Sequence, residues 1–106
     1  MRRCKVYNNG IYAGILAEEN ANKYSFTYDS AYLESPHGSR ICLAMPTANQ
    51  RYESTSLFPF FCNMLPEGHN RAYLCRDYHL DPDDDFGLLL RIAHTDTIGA
   101  ITVEAI

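Results

Sequence analysis

The sequence predicts an α+β fold: an antiparallel sheet of about five strands, with room for barrel-like closure, packed with about three to four short helices. Three observations carry that expectation. Apolar residues alternate in Cys4 to Tyr7 and again in Lys23 to Tyr28, the two-residue period of half-buried strands. From Phe58 to Ala93 the apolar spacing turns helical. An alternating run then closes the chain. Strands first and helices after is the order of segregated α+β domains, not of repeating βαβ units.

The elements follow in order. Cys4-Lys5-Val6-Tyr7 alternates and leads into Asn8-Asn9-Gly10, where Asn-Gly supplies the positive dihedrals of a tight hairpin turn. Ile11 to Glu18 returns as the second strand, and the polar Glu19 to Lys23 reads as a loop. Tyr24, Phe26 and Tyr28 fall on one face of a third strand, with Ser25 and Thr27 on the other. Asp29 and Ser30 cap a short helical turn through Leu33, and Ser35 to Ser39 is a breaker cluster. Ile41 to Met45 reads as a fourth strand ended by Pro46, and the polar Thr47 to Ser54 as a mobile loop.

Phe58, Phe61, Met64 and Leu65 recur at helical spacing, with Pro59 in the first turn, where proline is tolerated. Pro66-Glu67-Gly68 breaks that helix. His69 to His79 carries Ala72, Leu74, Cys75 and Tyr78 as a second helix, with Asn70 a candidate cap of the turn before it. Asp81 to Asp85 caps a third, apolar nearly all round from Phe86 to Ala93. Asp96 to Val103 is the closing strand.

At 106 residues, 46 % apolar and 21 % charged, the chain reads as one globular domain spanning 1–106. A formal net charge of -4 argues against direct nucleic-acid binding, which needs a concentrated basic surface. No apolar run reaches membrane-span length, and no apolar stretch follows Arg2-Arg3 as a secretory signal requires. Cys42, Cys62 and Cys75 sit inside apolar runs, so they and Cys4 are expected as reduced thiols of a cytoplasmic protein.

Several motifs mimic catalytic ones. Asp85-Phe86-Gly87 spells the magnesium-binding tripeptide of protein kinases, but neither their catalytic loop nor their Gly-rich loop accompanies it. Asp81, Asp83 and Asp85 alternate as in a calcium loop, yet the positions that demand Gly and Glu hold Phe86 and Ile92. No Cys or His pair has zinc-ligand spacing. Cys62 or Cys75 with His69 and Asp77 would make a nucleophilic set only by distant assembly, with no local motif behind it. The sequence is thus read as non-enzymatic, with no cofactor and no metal.

Leu57-Phe58-Pro59-Phe60-Phe61 is the unusual segment. No single face of a short helix buries Phe58, Phe60 and Phe61 together, so part of this aromatic surface is left for a partner.

The same residues carry a family resemblance. Leu57 to Gly68 resembles a Phe-Phe-x-Asn-Leu-Leu-Pro-Glu/Asp segment of the N-terminal subdomain of HipA-type toxin kinases. Asp85-Phe86-Gly87-Leu88-Leu89 and Thr97-Ile98-Gly99-Ala100-Ile101-Thr102-Val103 resemble two further stretches of that subdomain, in the same order. In HipA proteins the subdomain is joined to a serine/threonine kinase whose family targets are aminoacyl-tRNA synthetases. The chain stops at Ile106, which is similar to the split HipBST arrangement.

There a small HipS-like antitoxin pairs with a HipT-like kinase, and a HipB-like helix-turn-helix DNA-binding protein completes the complex. The resemblance therefore implies an antitoxin that neutralises its kinase in trans. The alternative is a non-inhibitory structural subunit that stabilises the kinase or aids substrate recognition. Expected partner contacts are Phe58, Phe60, Phe61, Glu67, Gly68, His69 and Arg71. The chain has no Trp to serve as a plug, which leaves docking that restrains kinase motion.

Overall fold

The computed structural model describes residues 2–34, 41, 45–63, 65, 68–92 and 101–106. Five strands form one antiparallel sheet: β1 (Arg2–Asn8), β2 (Ile11–Asn20), β3 (Lys23–Tyr28), β4 (Arg51–Ser54) and β5 (Ile101–Ala105). Four short helices accompany them: α1 (Ser30–Glu34), α2 (Pro59–Cys62), α3 (Gly68–Asp77) and α4 (Asp85–Ile92). The strand order is β4-β3-β2-β1-β5, so the sheet is open with β4 and β5 as its outer strands. Barrel-like closure is not formed.

The hairpin turn falls where Asn-Gly stands, with φ of 53° at Asn9 and 80° at Gly10, the left-handed values a tight turn requires. The β1–β2 register shifts between Val6, opposite Gly14, and Tyr7, opposite Tyr12. Ala13 is the extra residue of this bulge, and its carbonyl accepts the Asp29 N–H at 2.8 Å. Strand β2 runs on through Asn20, which shortens the expected polar loop to Ala21 and Asn22.

The fourth strand departs from the sequence expectation. Ile41 and Met45 lie in bends, both buried, and residues 42–44 of the expected strand lie outside the described residues. Both are tied to the Tyr28 hydroxyl, which accepts the Ile41 N–H at 3.1 Å and donates to the Met45 carbonyl. The strand that does pair with β3 is Arg51–Ser54, inside the expected loop. It is short and charged because it is an outer strand, where charge guards an open edge.

Helix α2 is a single turn that ends at Cys62; Leu65 still packs inward, with its N–H donating to the Cys62 carbonyl at 3.0 Å. Met64 and the stretch 93–100, which holds the start of the expected closing strand, lie outside the described residues. Asn70 sits within the first turn of α3 instead of capping it.

The core lies between the sheet and the helices. Val6, Leu16, Phe26, Tyr28 and Val103 from the strands meet Phe61, Cys75, Phe86, Leu88 and Leu89 from the helices. Tyr28 stacks on Tyr32 at 5.9 Å and meets Phe26 edge-on at 4.9 Å.

Candidate partner interface

The three phenylalanines part company. Phe61 is fully buried against Phe26, ring centroids 6.3 Å apart, and belongs to the core. Phe58 and Phe60 are half-buried and Pro59 between them is exposed. With Met45, Tyr52, Glu53 and Ser54 they line an apolar groove of about 290 Å³ where α2 overhangs strand β4. Phe60 rests edge-on against Phe61 at 5.3 Å, so the buried ring positions the half-buried one. Such a groove is suited to an apolar side chain of a partner.

The second expected group sits at the start of α3. Gly68 opens the helix with φ of 62°, His69 is exposed, and Glu67 lies outside the described residues. Arg71 is held within the chain. Its guanidinium donates to the Pro82 carbonyl at 2.7 Å and 3.0 Å and to Asp85 Oδ1 at 2.5 Å. That pairing raises the Arg71 pKa and fixes α3 to the loop before α4. Phe58 and Phe60 therefore share one groove, while His69 and Arg71 stand on a different element.

Tyr73 was not singled out from the sequence. It is 68 % exposed, the largest apolar exposure among the described residues. Arg71, Leu74 and Cys75 form the inward stripe of α3, which Tyr78 continues just past its end, and Tyr73 falls off it, one turn after His69. That misfit of period was the available signal.

The acidic segment before α4 has internal work. Asp84 caps the helix, its Oδ1 accepting the Gly87 N–H at 3.1 Å, and pairs bidentately with Arg2 at 2.8 Å and 2.9 Å. Arg2 also donates to Glu18 at 2.8 Å and lies 5.4 Å from the Phe86 ring centroid. The Arg2 guanidinium, with the Gly87 N–H, holds the Asp84 carboxyl below its ordinary value against some desolvation. A Cβ on Gly87 would stand 2.2 Å from Asp84 Oδ2, so the glycine of the kinase-like tripeptide makes room for this ion pair. Phe86 is core and Asp85 is the partner of Arg71, which assigns all of the tripeptide to structure.

Two of the thiols, Cys4 and Cys62, are shifted away from activation. Cys4, Cys62 and Cys75 are free, and Cys42 lies outside the described residues. Burial pushes the Cys4 thiol up to about 12 and raises that of Cys62, whose Sγ donates to the Leu57 carbonyl at 3.5 Å. A nucleophilic cysteine needs the opposite shift. Among the described residues no group of three or more His, Cys, Asp or Glu side chains is placed to hold a metal, and no helix is long and apolar enough to cross a membrane.

A family model described as the HipA N-terminal domain matches residues 4–104. The chain is 27% identical over 104 residues to an uncharacterized protein of Haemophilus influenzae, a match that takes in 98% of this chain and 92% of that protein. It is 25% identical over 101 residues to a Sinorhizobium fredii protein named as the putative kinase Y4mE, here taking in 95% of this chain but 24% of the relative. The solved N-terminal domain of HipA toxin shares the fold with a TM-score of 0.71 at 24% identity, over 100% of this chain and 93% of that one.

Proposed function

Because the chain belongs to the HipA N-terminal domain family, we propose that it is the HipS-like antitoxin of a HipBST-type system, binding a HipT-type serine/threonine kinase toxin in trans in the cytoplasm and neutralising it. A HipB-like helix-turn-helix protein completes the complex and supplies the DNA contact. One observation carries this reading. The same domain accounts for 24% of a relative named as a putative kinase and for 92% of another relative. A domain that occurs both within a putative kinase and nearly alone has that kinase as its natural neighbour.

The geometry supports binding over chemistry. Phe58 and Phe60 offer a half-covered aromatic wall that a partner side chain completes, and aromatic anchors of this kind dominate interface energies. His69 and Tyr73 present a second exposed pair on α3. Docking at these points restrains the motion a kinase needs for turnover.

The test is a titration of the purified chain into a purified HipT-type kinase, read by phosphate incorporation, together with growth of cells expressing both. Activity is expected to fall to a floor at equimolar chain, and growth to recover. A complex as active as the free kinase would refute the antitoxin role and favour the non-inhibitory structural subunit. Failure to bind would refute both.

A further inference from the structure

The outer strand β4 has a property that the kinase reading does not use. Among the described residues it pairs only with β3. The phase of that pairing is fixed by two backbone bonds. The Tyr28 N–H donates to the Gln50 carbonyl at 2.8 Å, and the Asp29 N–H donates the other way, to Ala13 of β2, at 2.8 Å. Hydrogen-bonded pairs recur at every second residue of an antiparallel ladder. Tyr52, opposite Phe26, and Ser54, opposite Tyr24, therefore bond inward to β3. The backbone N–H and C=O groups of Arg51 and Glu53 point out from the sheet.

We propose that this edge is self-complementary and that its occupant is a second copy of the chain, added antiparallel with Tyr52 facing its own counterpart across a two-fold axis. Outward groups bond only to outward groups, so few registers are open. One sets Arg51 opposite Arg51 of the other copy, another sets Glu53 opposite Glu53, and both place like charges directly across the seam. The register centred on Tyr52 sets Arg51 opposite Glu53 on both sides of the axis, each pair exchanging both its backbone hydrogen bonds. These side chains are 44% and 52% exposed, and already belong to a ladder of alternating sign with Glu19 and Lys23.

Charge on an outer strand ordinarily blocks pairing; alternation of sign converts that block into a choice of register. Tyr52 is the closer, non-hydrogen-bonded pair of this arrangement. The added strand continues the sheet beyond its β4 edge. The other outer strand, Ile101–Ala105, carries Glu104 and no cation to oppose it.

Sedimentation equilibrium of the full chain tests this, beside Arg51→Glu, Glu53→Arg and the double charge swap. The wild type and the swap are expected to dimerise. Each single reversal is expected to raise the dimer dissociation constant by about tenfold or more, and an equal mixture of the two single variants to recover dimer. Amide exchange gives a readout that needs no variant: the Arg51 and Glu53 amides slow as the wild-type concentration rises, while that of Tyr52 is slow throughout. A wild type that stays monomeric at every concentration overturns the proposal. A dimer unmoved by either reversal, or without protection at Arg51 and Glu53, also overturns it.

Discussion

Gly87→Ala tests a close contact at which two effects of similar size oppose each other. Alanine in a helix interior is favoured over glycine by about 1 kcal/mol. Gly87 lies inside α4 with no positive φ, so its backbone accepts the change. The new Cβ, however, would stand 2.2 Å from Asp84 Oδ2 and 2.9 Å from Arg2 Nη1. The Asp84 carboxylate must move. It then loses its cap on the Gly87 N–H, about 1 kcal/mol, and its bidentate hold on Arg2. The Arg2 and Asp84 side chains are 38% and 27% exposed, so solvent screening limits the pair to about 1 kcal/mol.

The net expectation is a destabilisation of about 1 kcal/mol, reversed in sign once the carboxylate is gone. In an Asp84→Ala background, Gly87→Ala is expected to stabilise by about 1 kcal/mol, a coupling of about 2 kcal/mol between the positions. Urea unfolding of the four chains measures this, with unchanged m values confirming that the midpoints report stability. A Gly87→Ala chain more stable than wild type, or additive effects across the cycle, would refute the role given to Asp84.

Four further outcomes follow from the same structure. The Asp84 carboxyl is held below its ordinary value, so its stabilising contribution is complete above the unfolded carboxylate pKa and disappears as pH falls through its folded value; an Asp84→Asn chain is expected to lose that acid dependence in a urea midpoint series. Tyr28→Phe leaves the Ile41 N–H and the Met45 carbonyl without the buried hydroxyl that joins them, and is expected to cost about 1–3 kcal/mol in the same measurement. Phe61→Ala removes a fully buried ring and is expected to cost about 3–5 kcal/mol. Phe60→Ala, at a half-buried ring, is expected to cost about 1 kcal/mol and to weaken kinase capture out of proportion to that loss.

Most of the fold was legible because its signals are local. Asn9-Gly10 announces the hairpin, Tyr24-Phe26-Tyr28 a half-buried strand, and Asp84 before an apolar run a capped helix. The fourth strand was missed for a physical reason. Ile41 and Met45 are buried in bends tied to the Tyr28 hydroxyl, so their apolar character did not mark the strand that pairs with β3. Arg51–Ser54 carries one aromatic among polar residues, and what makes it a strand is its partner β3, a long-range fact. The aromatic excess at Phe58 to Phe61 was legible as an excess. Which ring turns inward was not, since that depends on where Phe26 lies.

The charges decide what kind of partner contact the surface makes. Arg2 serves Glu18 and Asp84, Arg71 serves Pro82 and Asp85, and Arg91 lies over the Tyr78 ring at 5.7 Å. Each would have to leave an internal partner to meet an external one, and exchange of one screened ion pair for another gains little. The exposed aromatics carry no such commitment: Tyr73 is 68 % exposed, and Phe58 and Phe60 are half covered. Kinase capture is therefore expected to rest on apolar burial and to depend weakly on salt, since screening acts on charges and not on apolar area. A dissociation constant measured by calorimetry from low to high sodium chloride should stay within about threefold, with a negative heat-capacity change as the mark of apolar burial. A steep loss of affinity with salt would refute this and move the contact to the acidic run Asp81 to Asp83, which the sequence equally displays.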